Sequence, residues 1–181
     1  MSVKKEGIMQ AEKWDIMDSE GVPTGRTTLR GNYLFKKGEY HLVVHIWILS
    51  SDGRVLIQRR SENKKLMPGE WAATGGAAQA GEDSFTAAAR ELFEELSIKA
   101  DRQSLKFVKR IKRRNSFVDV WMIKTDISEK DLILQKSEVA QVKWVSAQEL
   151  EEMIEKGNYH NYGSEYFSVV FDIINGRGIT L

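Results

Sequence analysis

The chain alternates between two hydrophobic rhythms, and the points where one gives way to the other outline its elements. Apolar runs of strand character lie at 42–49 and 54–60, separated by Ser51-Asp52-Gly53, whose composition suits a turn between antiparallel strands. Upstream, 14–18 and 24–29 can pair as a hairpin around Glu20, Gly21 and Pro23. Downstream, 106–112 and 117–124 read as a ribbon joined at Arg113-Arg114-Asn115, and a short strand follows at 142–145. The helical rhythm enters after residue 82, where Phe85, Ala88, Ala89, Leu92 and Leu96 recur every three or four residues and mark one buried stripe. Asp83 or Ser84 can cap that helix. Ser146 and Glu149 have capping-box spacing for a second helix reaching about residue 156, with Gly157 as its stop. A third, at about 165–174, places Phe167, Val170, Phe171 and Ile174 on one face. Strands and helices interleave irregularly, which predicts an α/β protein with a mixed sheet between helices.

Composition narrows the function classes. At 181 residues one domain, 1–181, is expected, long enough to bury a sizeable core. Lys+Arg at 27 against Asp+Glu at 26 leaves +1, no basis for a dedicated nucleic-acid or membrane binder. Zero Cys excludes disulfides, thiolate metal sites and Cys nucleophiles, and suits a reducing compartment. No run approaches the ~18 apolar residues of a membrane span, and the opening MSVKKEGIMQAEKWD lacks the apolar centre of a signal peptide. A cytoplasmic protein is the expectation.

The chemistry concentrates on the first helix. Glu91, Glu94 and Glu95, related by i, i+3 and i+4, share one face and repel one another by a few tenths of a kcal/mol per pair, so something must offset them. The plainer reading is a solvated face with Arg90 paired to Glu94 at i, i+4. The other is an oxygen-rich pocket, because Gly75, Gly76 and Gly81 mark a tight loop just before the helix. Mg²⁺ favours such oxygens, keeps several waters, and bridges one or two carboxylates to phosphate groups. That reading points to metal-assisted attack on a phosphate.

The surrounding spacing shifts the balance toward the second. Gly76, five residues, Glu82, seven residues, then Arg90-Glu91-Leu92-x-Glu94-Glu95-x-x-Ile98 resembles the MutT-like box of the Nudix hydrolases, G-x5-E-x7-R-E-U-x-E-E-x-G-U, at eight of nine specified positions. The departure is Ser97 in place of the Gly that ends the helix in a left-handed conformation, so the helix end is where an irregularity is expected. The resemblance extends through the lead-in RVLIQRRSENKKLMPGEWAATGG at 54–76. Residues 14–26 are similar to the branch containing isopentenyl-diphosphate isomerase, but Gly75 and Ala77 stand where that isomerase has its Cys and a metal-binding His, so isomerase activity is not expected.

The resemblance implies an α/β/α sandwich and a set of roles. Glu91, Glu94 and Glu95, with the main-chain carbonyl of Gly75, are the implied ligands for Mg²⁺, with Mn²⁺ as the alternative ion. Glu82, Arg90 and Gly76 are implied supports that hold the carboxylates in place. The base that takes a proton from the attacking water is Glu95 or Glu138, the latter in a stretch, 137–145, resembling the segment where many relatives carry a further acid. Arg59 and Arg60 alternate across a strand, so only one can face the pocket; the resemblance favours Arg60 as a phosphate contact. Trp71, beside the glycine loop, is the expected platform for a base or ring. His45 reads as an ordinary strand residue, and the basic run 109–114 as edge protection on an exposed ribbon. Residues 1–38 form an N-terminal ribbon extension and 158–181 a C-terminal helical one, serving as pocket walls or homodimer contacts. Two functions remain: hydrolysis of a small diphosphate, such as a nucleoside diphosphate linked to another moiety, or a module that senses such a ligand without cleaving it.

Overall fold

The computed structural model describes residues 12–177. Its first two strands, β1 (Lys13–Met17) and β2 (Pro23–Leu29), form a separate antiparallel hairpin around Glu20 and Gly21, as expected. The main sheet has seven strands: β3 (His41–Leu49), β4 (Val55–Arg60), β5 (Trp71–Ala72), β6 (Thr74–Ala77), β7 (Lys106–Lys112), β8 (Ser116–Lys124) and β9 (Val139–Val145). The path runs β5-β4-β3-β8-β7, with β6 on β3 and β9 on β4. Among the described residues only β3 and β8 pair in parallel.

Their burial on both faces explains the near-continuous apolar run of β3. Leu42, Val44, Ile46 and Ile48 meet Leu92 and Leu96 of helix α1 (Ser84–Leu96), while Trp47 and Leu49 turn to the other face. There they join Leu150 of α2 (Ala147–Glu155) and Tyr166, Phe167 and Val170 of α3 (Ser164–Ile174). The result is the expected α/β/α sandwich with a mixed sheet. Helix α3 supplies core, with Tyr166 and Val170 fully buried. Among the described residues, no helix is long and apolar enough to cross a membrane.

Three local readings are corrected. Residues 74–77 form a strand antiparallel to β3, with His45 opposite Gly75 and Val44 opposite Gly76, where a loop was expected. Glycine hides strand character, yet here it is required: a Cβ on Gly75 (φ +145°) would lie 2.0 Å from the carbonyl oxygen of Val44. Strand β9 begins at Val139 rather than 142, because Arg60 and Arg59 of β4 pair with Val139 and Gln141 of its first half. Finally, α1 ends where the box places its end despite the serine: Ser97 adopts φ 58°, ψ 24°, donating its N–H to the Phe93 carbonyl at 2.8 Å. Its hydroxyl donates to the Ile133 carbonyl at 3.1 Å, which offsets part of the ~1 kcal/mol a left-handed non-glycine residue costs.

Candidate active site

Helix α1 presents its acids to an open cavity of about 400 Å³. Asp83 caps the helix by accepting from the Thr86 N–H at 2.7 Å, and the buried stripe of Ala88, Leu92 and Leu96 fixes its rotation against the sheet. The hairpin steadies the turn before it: Ala80 N–H donates to the Lys13 carbonyl at 2.8 Å, and Gly81 N–H to the Asp15 carboxylate at 2.7 Å.

The like-charge repulsion is offset by one guanidinium. Arg90 donates Nε to Glu82 Oε1 at 2.7 Å and Nη2 to Oε2 at 2.9 Å, while Nη1 reaches Glu91 at 2.9 Å and Glu94 at 3.0 Å. Burial works against ionisation of Glu82, but the Arg90 bonds and the Gln79 N–H outweigh it and hold its carboxyl below the usual range. Arg90 therefore orders the acids as a fork, and the i, i+4 pair of the plainer reading is one tine of it.

The three helix acids differ in environment. The Glu94 side chain is 45% exposed. Glu91 packs under Gly76, where a Cβ would come within 2.6 Å of its carboxylate; burial raises its pKa and Arg90 opposes the rise. Glu95 is 2% exposed, and its Oε2 accepts from Gln58 Nε2 at 2.9 Å and from the Gly75 N–H at 3.1 Å. Burial first, then the neighbouring Glu91 charge, pushes its pKa up to about 8. Gln58, fully buried on β4, is held in turn by the Thr74 hydroxyl donating to its carbonyl oxygen at 3.1 Å.

Glu91, Glu94, Glu95, Arg90, Gly75, Gly76, Arg60 and Glu138 all border this cavity, and Glu82 stands behind Arg90. Glu138 is ion-paired with Lys64. Trp71 does not belong to the set. It is the register partner of Arg59, so both lie on the face of β4–β5 away from Arg60 and line a separate groove with Glu70 and Tyr159. Period two sends Arg60 to one side and Arg59 with Trp71 to the other. In the basic run, Arg110 is occupied by Asp119 and Arg113 by the Tyr162 carbonyl.

Sequence reasoning missed Gln58, Lys64, Arg30, His45 and Tyr162. A glutamine and a histidine inside otherwise apolar strands were the available signals for two of them; the others come from loops, whose positions carry no periodicity. His45 is neutral, its pKa lowered to about 3 by burial and the nearby Arg113, His160 and Arg60 charges.

A sequence model of the NUDIX domain matches residues 39–163. The chain belongs to the Nudix hydrolase family. It is 38% identical over 169 residues to the Nudix hydrolase lmo0368 of Listeria monocytogenes, covering 93% of this chain and 98% of that protein. It is 31% identical over 192 residues to Nudix hydrolase 3 of Arabidopsis thaliana, covering 93% of this chain but 24% of the plant protein. Among solved structures, DR0079 from Deinococcus radiodurans superposes with a TM-score of 0.74 at 24% identity, over 87% of this chain and 97% of that one, which shows the fold. The NUDIX domain of Shewanella oneidensis NrtR, solved with ADP ribose, shares the fold at a TM-score of 0.52 and 17% identity, over 69% of this chain and 88% of that one. The matched segment of this Nudix hydrolase leaves out the β1–β2 hairpin and α3, yet Trp14 and Arg30 still border its cavity and Tyr166 underlies it.

The donors fit a hard divalent ion: three carboxylates beside Gly75 and Gly76 of β6, every candidate ligand an oxygen. Among the described residues no three His, Cys, Asp or Glu side chains already converge on one point.

Proposed function

We propose that this Nudix hydrolase cleaves the diphosphate linkage of a small molecule, a nucleoside diphosphate joined to another moiety or a related diphosphate. The observation that carries this reading is one cavity joining three helix acids to the cationic side chains of Arg30, Arg60 and Lys64. Glu91, Glu94 and Glu95, with the Gly75 carbonyl, would hold Mg²⁺ or Mn²⁺. The bound ion supplies charge neutralisation at the phosphate oxygens and acidifies water. Arg60 and Lys64 bind phosphate oxygens, and Arg90 keeps the carboxylates oriented. A water oxygen bonds to one phosphorus, the bond from that phosphorus to the bridging oxygen breaks, and the bridging oxygen leaves with the second phosphate. Glu95 or Glu138 takes the water's proton.

A second reading, a ligand-sensing module, draws on the NrtR fold neighbour solved with ADP ribose. The intact acid set speaks for the enzyme, since binding alone does not require all three carboxylates. The test incubates purified protein and Mg²⁺ with dinucleoside polyphosphates, nucleotide sugars, ADP-ribose, NADH, CoA and nucleoside triphosphates, and resolves products by chromatography. Metal-dependent appearance of two phosphate-bearing products is expected for at least one. Tight binding without turnover on any would establish the sensor instead.

A further inference from the structure

Beneath the cavity, the hydroxyl of Tyr166 on α3 lies 2.9 Å from Nε1 of Trp47 and 2.8 Å from Nδ1 of His45. An indole nitrogen only donates, so the Tyr166 oxygen accepts from Trp47; among the described residues its own proton has no acceptor other than Nδ1 of His45, which assigns that nitrogen as the acceptor. An imidazole that accepts at Nδ1 carries its proton on Nε2. That nitrogen has no hydrogen-bond partner among the described residues, and His45 borders the cavity. The ring cannot easily swing away, because Tyr162 packs 4.8 Å and Tyr166 5.4 Å from its centroid. The β3–β6 register sets His45 opposite Gly75, whose N–H touches Glu95.

We propose that His45 binds substrate, donating Nε2–H to a non-bridging oxygen of the diphosphate from the β3 wall, in an orientation set by Tyr166 and Trp47. This assignment rests on the diphosphate reading above. A neutral, oriented donor complements the cations: Arg60 and Lys64 supply charge on flexible stems, whereas His45 supplies direction without repelling a divalent ion. Packing alone would explain a Tyr–Trp pair, but not a polar ring at the cavity wall whose second nitrogen has no hydrogen-bond partner among the described residues.

Long-range ¹H–¹⁵N spectra of the full-length protein test it, with methylenediphosphonate and Mg²⁺ as the probe, a diphosphate analogue with carbon in place of the bridging oxygen. The expected result is the Nε2–H tautomer in the free protein and a shift of the Nε2 resonance on saturation. His45→Leu should weaken binding of the probe about tenfold, the usual order for losing one hydrogen bond to a charged group, and His45→Gln, which retains a donor, should restore most of it. The Nδ1–H tautomer, or an unmoved Nε2 while the Gly75 and Gly76 amides shift, would overturn the assignment and leave the diphosphate reading intact. If neither the amides nor Nε2 respond to the probe, the diphosphate reading fails and the role of His45 falls with it. The wild-type spectra decide the matter even where His45→Leu does not fold.

Discussion

Along α1 the cavity wall is cut from one stretch of chain, Glu82 to Glu95, bound together by Arg90. The wall across from it is gathered from afar: Trp14 on β1, Arg30 and Tyr33 after β2, His41 and His45 on β3, Tyr162 before α3, with Arg60, Lys64 and Glu138 at its charged margin. The first wall is charged, with Arg90 holding Glu82, Glu91 and Glu94, and Glu95 held from β4 and β6. The second is aromatic and imidazole-rich, and it contains buried nitrogens without partners among the described residues, Nε1 of Trp14 and Nδ1 of His41. A single helix can carry reactive groups at fixed spacing, whereas shape and selectivity need residues that only the tertiary fold brings together.

The largest expected effect bears on the charged wall. Glu94→Gln and Glu95→Gln should each lower turnover by about 10²–10⁴-fold with circular dichroism unchanged. Full activity in both variants would move the chemistry away from α1. Next comes the seam where the walls meet. Gly75→Ala forces a Cβ to 2.0 Å from the Val44 carbonyl at φ +145°, and should cost roughly 3 kcal/mol or more in urea denaturation, or prevent folding. An alanine variant of native stability would show that β6 can separate from β3.

The aromatic wall should reveal itself through acid sensitivity. His41, stacked 4.4 Å from Trp14 and 5.3 Å from Phe35, has its pKa lowered by burial to about 4. The unfolded chain binds that proton near pH 6.5 and the folded one does not, so the contribution to stability is complete above pH 6.5 and falls as pH drops toward 4. The slope is about 1.4 kcal/mol per pH unit, and His41→Phe should remove it from the stability–pH curve in urea melts. An identical slope in the variant would mean His41 is hydrated. The smallest effect tests the helix end: Ser97→Gly should gain about 0.5 kcal/mol, relief of the left-handed conformation slightly exceeding loss of the Ile133 bond. A loss would show that the hydroxyl bond outweighs the backbone strain.

The same contrast governs what the sequence could convey. The α1 acids, Arg90, Glu82 and the two glycines were legible because the spacing of one helix and its lead-in is written in consecutive residues. The layered fold was legible because β3, β4, α1 and α3 each have a distinct apolar period. Trp71 was misplaced for lack of register: nearness to the glycine loop in sequence did not reveal that it pairs with Arg59 on the opposite face. Gln58 and His45 were hidden inside apolar strands, where a polar residue declares its partner only once Glu95 or Tyr166 is brought to it from 37 or 121 positions away.

The parallel pairing of β3 with β8 has a kinetic consequence. Each β3 residue meets one 75 positions later, from His41 with Ser116 to Leu49 with Lys124, and the whole of α1 lies in the loop between them. Such non-local pairing delays the reward for closing the loop and belongs to topologies that fold on the millisecond-to-second scale. Helix α1 can flicker into existence early, but the floor beneath its acids exists only after β8 docks. Recovery of activity during refolding should therefore follow the slowest structural phase, and not the rise in helix content.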